Sequence, residues 1–394
     1  MAPMLPLPSN YFRCPLLEAH ESEFLIQEAR TNSIDVIART KLQDGPMPWV
    51  LDSQDGEQLI YRGQDWDAPH GVQTYLGVLE LKATLEEVAQ LYACHTEEEI
   101  AEQRRTISKD VVDAHQLYVL AAPTPSNPRH FIGVKWAILA SPAPALMKAR
   151  DWVFLESHHD FDWEGRRGWA RATKSIKLPF LPSLEDSLNV VRGFQLRSGF
   201  VFVETERPGF LQAMQLHQFD LRGKIPAWVV SVGIKKRCRQ FLEIAKFIRE
   251  NRLSQSTFLH SHELTPMALR THCHGCHKKF RVLLTRKDHC QRCGEVFCHA
   301  CSKLWAVKVD GERHNVRICT GCTIDADNMD KVGTTFVFST AAPPPPPRRR
   351  KSHNSSLVMQ KRMSSHTSVP ETVLEADVFL GSVRNDLIPF QSTK

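Results

Sequence analysis

Eight of the eleven cysteines lie within residues 273–322, as four Cys-x-x-Cys pairs separated by thirteen, four and seventeen residues. No other feature limits the chain so tightly, because a fifty-residue unit buries too little apolar surface to fold without a cross-link or a metal. Two thiols separated by two residues form one knuckle, and two knuckles complete the tetrahedral shell that structural zinc adopts. The count therefore gives two zinc ions, with Cys273, Cys276, Cys290, Cys293, Cys298, Cys301, Cys319 and Cys322 as ligands and no histidine needed. With every position filled by thiolate, both ions are structural, and binding worth about 10–16 kcal/mol supplies the energy the small core lacks. A disulfide framework does not cluster in this way, and Cys14, Cys94 and Cys238 stand alone. Spacing by itself allows either sequential or interleaved pairing of the knuckles.

The segment Arg286-Lys-Asp-His-Cys-Gln-Arg-Cys-Gly294 resembles the FYVE signature R(R/K)HHCRxCG, and Arg317-Ile-Cys319 resembles its RVC block. The resemblance implies cross-bracing, in which Cys273, Cys276, Cys298 and Cys301 hold one ion and Cys290, Cys293, Cys319 and Cys322 the other. It also implies recognition of phosphatidylinositol 3-phosphate on endosomal membranes, with Arg286, Lys287, His289 and Arg317 taking the headgroup. Three positions depart from the pattern: Asp288 replaces the first His, Gln291 replaces an Arg, and Leu264-Thr-Pro-Met267 stands where WxxD belongs. These departures favour a competing reading, a protein-interaction scaffold whose altered finger binds a protein partner. RING and PHD fingers also cross-brace, but their usual pattern includes a ligand His, which disfavours a ubiquitin ligase.

Val282, Leu283 and Leu284 form an apolar tip between Phe280-Arg281 and Arg286-Lys287. Exposed, the tip is suited to membrane insertion; the competing reading packs it inside the finger, where Phe280 and Trp305 are expected. Partial burial of each leucine contributes about 1–2 kcal/mol, and each nearby cation about 1 kcal/mol on anionic lipid. One finger alone is then a weak membrane ligand once orientation costs are met. His272, His274, His277, His299 and His314 read as surface residues.

The chain divides into a large domain at 1–262, the finger at 263–325 and a Pro-, Ser- and Arg-rich tail at 326–394, mostly disordered. In the large domain, helices are expected from Glu21 to about Thr40 and over 85–94, the second opened by a capping box between Thr84 and Glu87. A charged stretch, Glu97 to Arg105, leads into strand signals at 117–121, 131–140, 152–157, 168–176, 200–204 and 214–219, after earlier ones at 59–61 and 72–81. Gly223-Lys-Ile-Pro226 opens a closing helix to about Asn251, with Val230, Ile234, Cys238, Phe241, Ala245 and Ile248 on its apolar side. The stretches VKWAILASPAP, RDWVFLE, SGFVFVETERPG and DLRGKIPAW together resemble a START lipid-binding domain with its core at about 60–255. That resemblance implies an α+β helix-grip fold, a curved antiparallel sheet closed by the C-terminal helix around a tunnel for one lipid. Aromatic strands under an amphipathic cover are equally what a filled core needs. His158-His159-Asp160-Phe161-Asp162 reads as a polar hairpin end, since strand alternation splits its side chains between two faces.

A formal net charge of +6 suits an anionic surface, and with a membrane-binding finger present no nucleic-acid partner is expected. There is no signal peptide, spanning segment or myristoylation glycine, so the expected location is cytoplasmic, peripheral on endosomal membranes. No nucleophile elbow, phosphate loop, HExxH or kinase signature is found, and the expectation is a protein that is not an enzyme. Pro343 to Pro347, followed by Arg348 to Lys351, offers a polyproline ligand for an SH3 or WW partner, or simply a solvated linker.

Overall fold

The computed structural model describes residues 5–69, 71–94, 96–281, 286–309 and 311–327, all within one compact unit. The tail beyond residue 327, with Pro343 to Pro347, and the tip at Val282, Leu283 and Leu284 lie outside the described residues, while residues 326 and 327 belong to the finger's last helix. In chain order the large domain contains α1 (Ala19–Arg39), β1 (Trp49–Asp55), β2 (Gln58–Gly63), β3 (Gln73–Lys82), α2 (Leu85–Tyr92) and α3 (Glu97–Thr106). There follow β4 (Val111–Ala121), β5 (Phe131–Leu139), β6 (Arg150–Trp163), β7 (Arg166–Ser175), α4 (Glu185–Leu188), β8 (Val191–Arg192), β9 (Phe194–Glu204), β10 (Phe210–Asp220), α5 (Ala227–Cys238) and α6 (Gln240–Ser254). The finger adds β11 (Lys287–His289), β12 (Val296–Cys298), β13 (Ser302–Val309), β14 (Glu312–Cys319) and α7 (Thr320–Asp327).

The large sheet runs β1-β2-β3-β10-β9-β7-β6-β5-β4 with every neighbour antiparallel, and β8 pairs in parallel with β6. Alternation along each strand builds two apolar faces. On one, Trp169, Phe200, Phe202, Leu211 and Ala213 pack against Leu85 and Val88 of α2 and Phe241, Ile244 and Ile248 of α6. On the other, Ala170, Ala172, Val201, Val203, Met214 and Leu216 pack with Val36 of α1. The sheet gripping its C-terminal helix is the architecture expected from the sequence. Among the described residues no helix is long and apolar enough to cross a membrane.

The capping box on α2 forms in both directions, Glu87 N–H to Thr84 Oγ1 at 3.2 Å and Thr84 N–H to Glu87 Oε2 at 2.9 Å. The charged stretch after it is a helix, α3, capped in the same way by Thr96 and Glu99 and carrying Glu97–Glu99 at its start and Arg104 and Arg105 at its end, as the helix dipole favours. Its polar composition concealed it. The closing helix is broken in two at Arg239. There the Cys238 carbonyl accepts from the Gln58 side-chain amide, and β3 lies close enough that a Cβ on Gly77 would meet Cys238 Cβ at 3.1 Å. On α1, Ala29 and Val36 are buried, while Phe24 is 64% exposed. His158 to Asp162 forms the end of β6 at the β6–β7 hairpin, as expected: Asp160 and Asp162 are exposed and Asp162 Oδ1 accepts from the Gly165 N–H at 2.9 Å, while His158 is buried. The turn itself is made by Glu164 and Gly165, both at positive φ (56° and 80°).

Candidate functional site

The Sγ atoms of Cys273, Cys276, Cys298 and Cys301 lie within 4.8 Å of one another, as do those of Cys290, Cys293, Cys319 and Cys322. This is the interleaved pairing. Zn–S bonds of about 2.3 Å on a tetrahedron put sulfurs about 3.8 Å apart, and Cys276 and Cys298 Sγ are 3.8 Å apart. The donors suit zinc chemically as well. Burial opposes ionisation of the Cys273 thiol, but backbone N–H groups of Cys276, Cys298 and Gly275 outweigh it and bring its pKa down to about 6. A hydrogen bond with the Cys319 thiol pulls Cys290 down to about 4, so each set holds a sulfur ready to ligate as thiolate.

The four residues singled out for a headgroup are sorted by the pleat of β11 onto two sides. On one side Lys287 Nζ donates to the carbonyls of Met267 and Arg270, both at 2.8 Å, and sits over the Phe280 ring. His289 Nε2 donates to the Thr265 carbonyl at 2.7 Å, so Lys287 and His289 together tie down the segment that stands in place of WxxD. On the other side Arg286 and Arg317 converge on Asp288, their Nε atoms 3.4 and 3.5 Å from its Oδ1. His299 Nδ1 lies 3.7 Å from Oδ2. Arg317 also donates to the Ser302 carbonyl and hydroxyl, whereas Arg286 is 79% exposed. Sequence reading took Asp288 only as a departure from the signature; its place among three basic groups becomes visible once β14 and the turn after β12 fold beside it. The five histidines expected at the surface are exposed, and Trp305 is buried in the finger's core.

The finger is seated on α6. Leu253 packs in its core with Trp305, Val307 and Ile318, while Glu250 Oε1 and Ser254 Oγ accept from the N–H groups of Ala306 and Lys308 at 3.2 and 2.9 Å. Arg252 makes a bidentate pair with Glu87 of α2, 2.7 Å in both arms, and Arg249 reaches Asp327 of α7. One helix thus belongs to both the sheet's core and the finger's.

Between α5 and the 139–152 segment opens a cavity of about 650 Å³, walled by apolar side chains such as Leu139, Met147, Trp152, Phe219, Val230 and Ile234 and rimmed by Lys109, Lys236 and Arg239. Trp152, Phe219, Arg237 and Gln240 separate it from an inner chamber of about 110 Å³ lined by polar groups including Arg171, Thr173, Ser198 and His217. Above the chamber Glu156 binds Lys135 at 2.8 Å, His158 at 3.0 Å and Arg171. Burial pushes the Glu156 carboxyl up, but Arg171 and Lys135 outweigh it and hold its pKa well below the usual range. Burial keeps His217 neutral, and among the described residues neither of its ring nitrogens has a hydrogen-bond partner, nor does Trp152 Nε1. The sequence signal for these groups is a polar residue at every second position on an apolar strand, Glu156 and His158 on β6 or Arg171 and Thr173 on β7.

Residues 264–328 match the profile of the FYVE zinc finger family. A mouse (Mus musculus) relative, Zinc finger FYVE domain-containing protein 1, is 48% identical over 52 residues, which cover 13% of this chain and 7% of the relative. Human (Homo sapiens) RUN and FYVE domain-containing protein 2 is 44% identical over 52 residues, 13% of this chain and 8% of its own length. Among solved structures, human StAR-related lipid transfer protein 5 superposes with a TM-score of 0.45 at 16% identity, over 58% of this chain and 97% of that one. Human STARD10 superposes at 0.38 and 16% identity, over 59% and 82%. Family profile and paired thiolate tetrads agree: residues 264–328 form a FYVE-type zinc finger with two metal positions.

Proposed function

We propose that this chain is a peripheral membrane protein, whose finger docks on phosphoinositide-bearing membrane, with phosphatidylinositol 3-phosphate of the endosome as the headgroup, and whose sheet domain holds or transfers a lipid. It works by binding and makes or breaks no bond. The observation that carries the first half is the convergence of Arg286 and Arg317 on one side of a frame of eight thiolates, in a segment with a FYVE profile. The second half is supported by the cavity itself: about 650 Å³ falls in the range that holds one small molecule, roughly 300–1,000 Å³. Its basic rim would face an anionic surface favourably, each cation contributing about 1 kcal/mol.

Vesicle sedimentation with and without phosphatidylinositol 3-phosphate, comparing the wild type with Arg286→Glu, tests the headgroup reading. The wild type should pellet preferentially with the phosphoinositide, and equal pelleting of both proteins overturns specific recognition. Native mass spectrometry of protein extracted from lipid-rich cells should find one lipid per chain. A second reading, a scaffold that binds a protein through the altered finger, is favoured by the engagement of Lys287 and His289 with the 265–270 backbone. An empty cavity together with headgroup-independent pelleting selects it.

A further inference from the structure

We infer that Asp288 is a built-in counter-anion of the finger, standing among Arg286, Arg317 and His299 where a headgroup phosphate would seek the same cations, and that it sets the affinity of that face. The inference rests on the reading of this face as a headgroup site, and it concerns how strongly the site binds.

The geometry is that of an internal substitute for a ligand. The Asp288 side chain is 9% exposed, and its Oδ1 is 3.4 Å from Arg286 Nε and 3.5 Å from Arg317 Nε. Its Oδ2 is buried, points toward His299 at 3.7 Å and has no hydrogen-bond partner among the described residues. Acceptor oxygens are normally satisfied when buried, so this carboxylate is held chiefly by the charges around it. A phosphate monoester brings a charge of about −1.5 to −2 to such a place. It would meet two guanidinium groups already half-neutralised by one carboxylate, and repulsion from that carboxylate. Lys287 and His289 do not relieve the deficit, because the pleat turns them to the carbonyls of 265–270 on the opposite side. Replacing Asp288 with a neutral residue of the same shape removes one negative charge next to the ligand and releases both arginines toward it. A finger damped in this way binds a membrane firmly only when a second contact on the same chain adds its effective concentration.

The test uses the full chain with Asp288→Asn, titrated with phosphatidylcholine vesicles containing either phosphatidylinositol 3-phosphate or an equal charge of phosphatidylserine, with zinc content measured on each protein. The expected result is two zinc ions per chain and a roughly tenfold tighter apparent Kd on the phosphoinositide vesicles, about 1.4 kcal/mol, with a clearly smaller gain on phosphatidylserine. If Asn lowers the zinc content, Asp288→His takes its place in the same comparison. An Asp288 that serves only to hold the finger together gives unchanged or weaker binding, and that result overturns the inference while leaving headgroup recognition standing. An equal gain on both lipids overturns it too, since the carboxylate would then act only through net charge. If neither protein prefers the phosphoinositide vesicles, the headgroup reading falls first and the inference with it.

Discussion

Acidifying the protein from pH 7 to pH 5 should cost the sheet domain about 2 kcal/mol of stability through His158 alone. The ring is buried in β6 between Phe131 and Trp169, with centroids 5.4 and 5.3 Å away. Burial pushes its pKa down to about 4, and the Glu156 carboxylate offsets this only in part because Arg171 and Lys135 already engage it. In the unfolded chain a histidine takes up its proton near pH 6.5. Between pH 6.5 and about 4 the unfolded state therefore binds more protons than the folded one, so stability falls as pH falls through that window and the loss levels off below it. At pH 5 the unfolded histidine is about 1.5 units below its own pKa, at about 1.4 kcal/mol per unit. Glu156 adds nothing here: its depressed pKa gives stability that is complete above the usual carboxylate range and fades only below it. His217, also held neutral by burial, steepens the fall in the same sense. Urea unfolding followed by fluorescence of the buried Trp136, Trp152 and Trp169, at pH 7, 6 and 5, reads the effect in wild type and His158→Gln. The variant should lose about 2 kcal/mol less than wild type over that interval, a comparison in which proton uptake by the zinc thiolates cancels. Equal losses in the two proteins would refute the argument.

Cys290→Ser should lower the metal content from two zinc ions to one per chain and unfold the β11–β12 region, while the sheet's own unfolding transition persists; elemental analysis and native-state hydrogen exchange report both. Glu156→Leu leaves the ammonium of Lys135 and the guanidinium of Arg171 without their buried partner and should destabilise the domain by about 3–5 kcal/mol in denaturant titration. Arg252→Ala removes the cationic partner of the Glu87 carboxylate, 2% exposed, leaving it the Thr84 N–H, at a cost of about 3 kcal/mol, and should speed proteolysis of the 255–262 connection because one tie between α6 and α2 is gone.

The residues whose roles were legible in advance are those whose partners are local or fixed by chemistry. Four Cys-x-x-Cys pairs announce two metal shells at any distance, and Thr84 with Glu87 announces a helix start within four residues, because each interaction is written in the spacing itself. The break in the closing helix was not legible. Its causes, the Gln58 side chain on the Cys238 carbonyl and the bare Cα of Gly77 beneath it, come from strands more than 150 residues earlier. The polar chamber was hidden for the same reason: Glu156 faces Thr173 and His158 faces Arg171 only once the β6–β7 register is set. The finger gives the sharpest case. Read along the chain, Arg286, Lys287 and His289 form one basic run with Arg317 added from the next block. A three-residue strand is enough to divide them, sending Lys287 and His289 to the backbone of 265–270 and leaving Arg286 and Arg317 to share Asp288. A motif counts cations, whereas a ligand meets only those on its own side of the pleat, less whatever anion the protein has already placed among them.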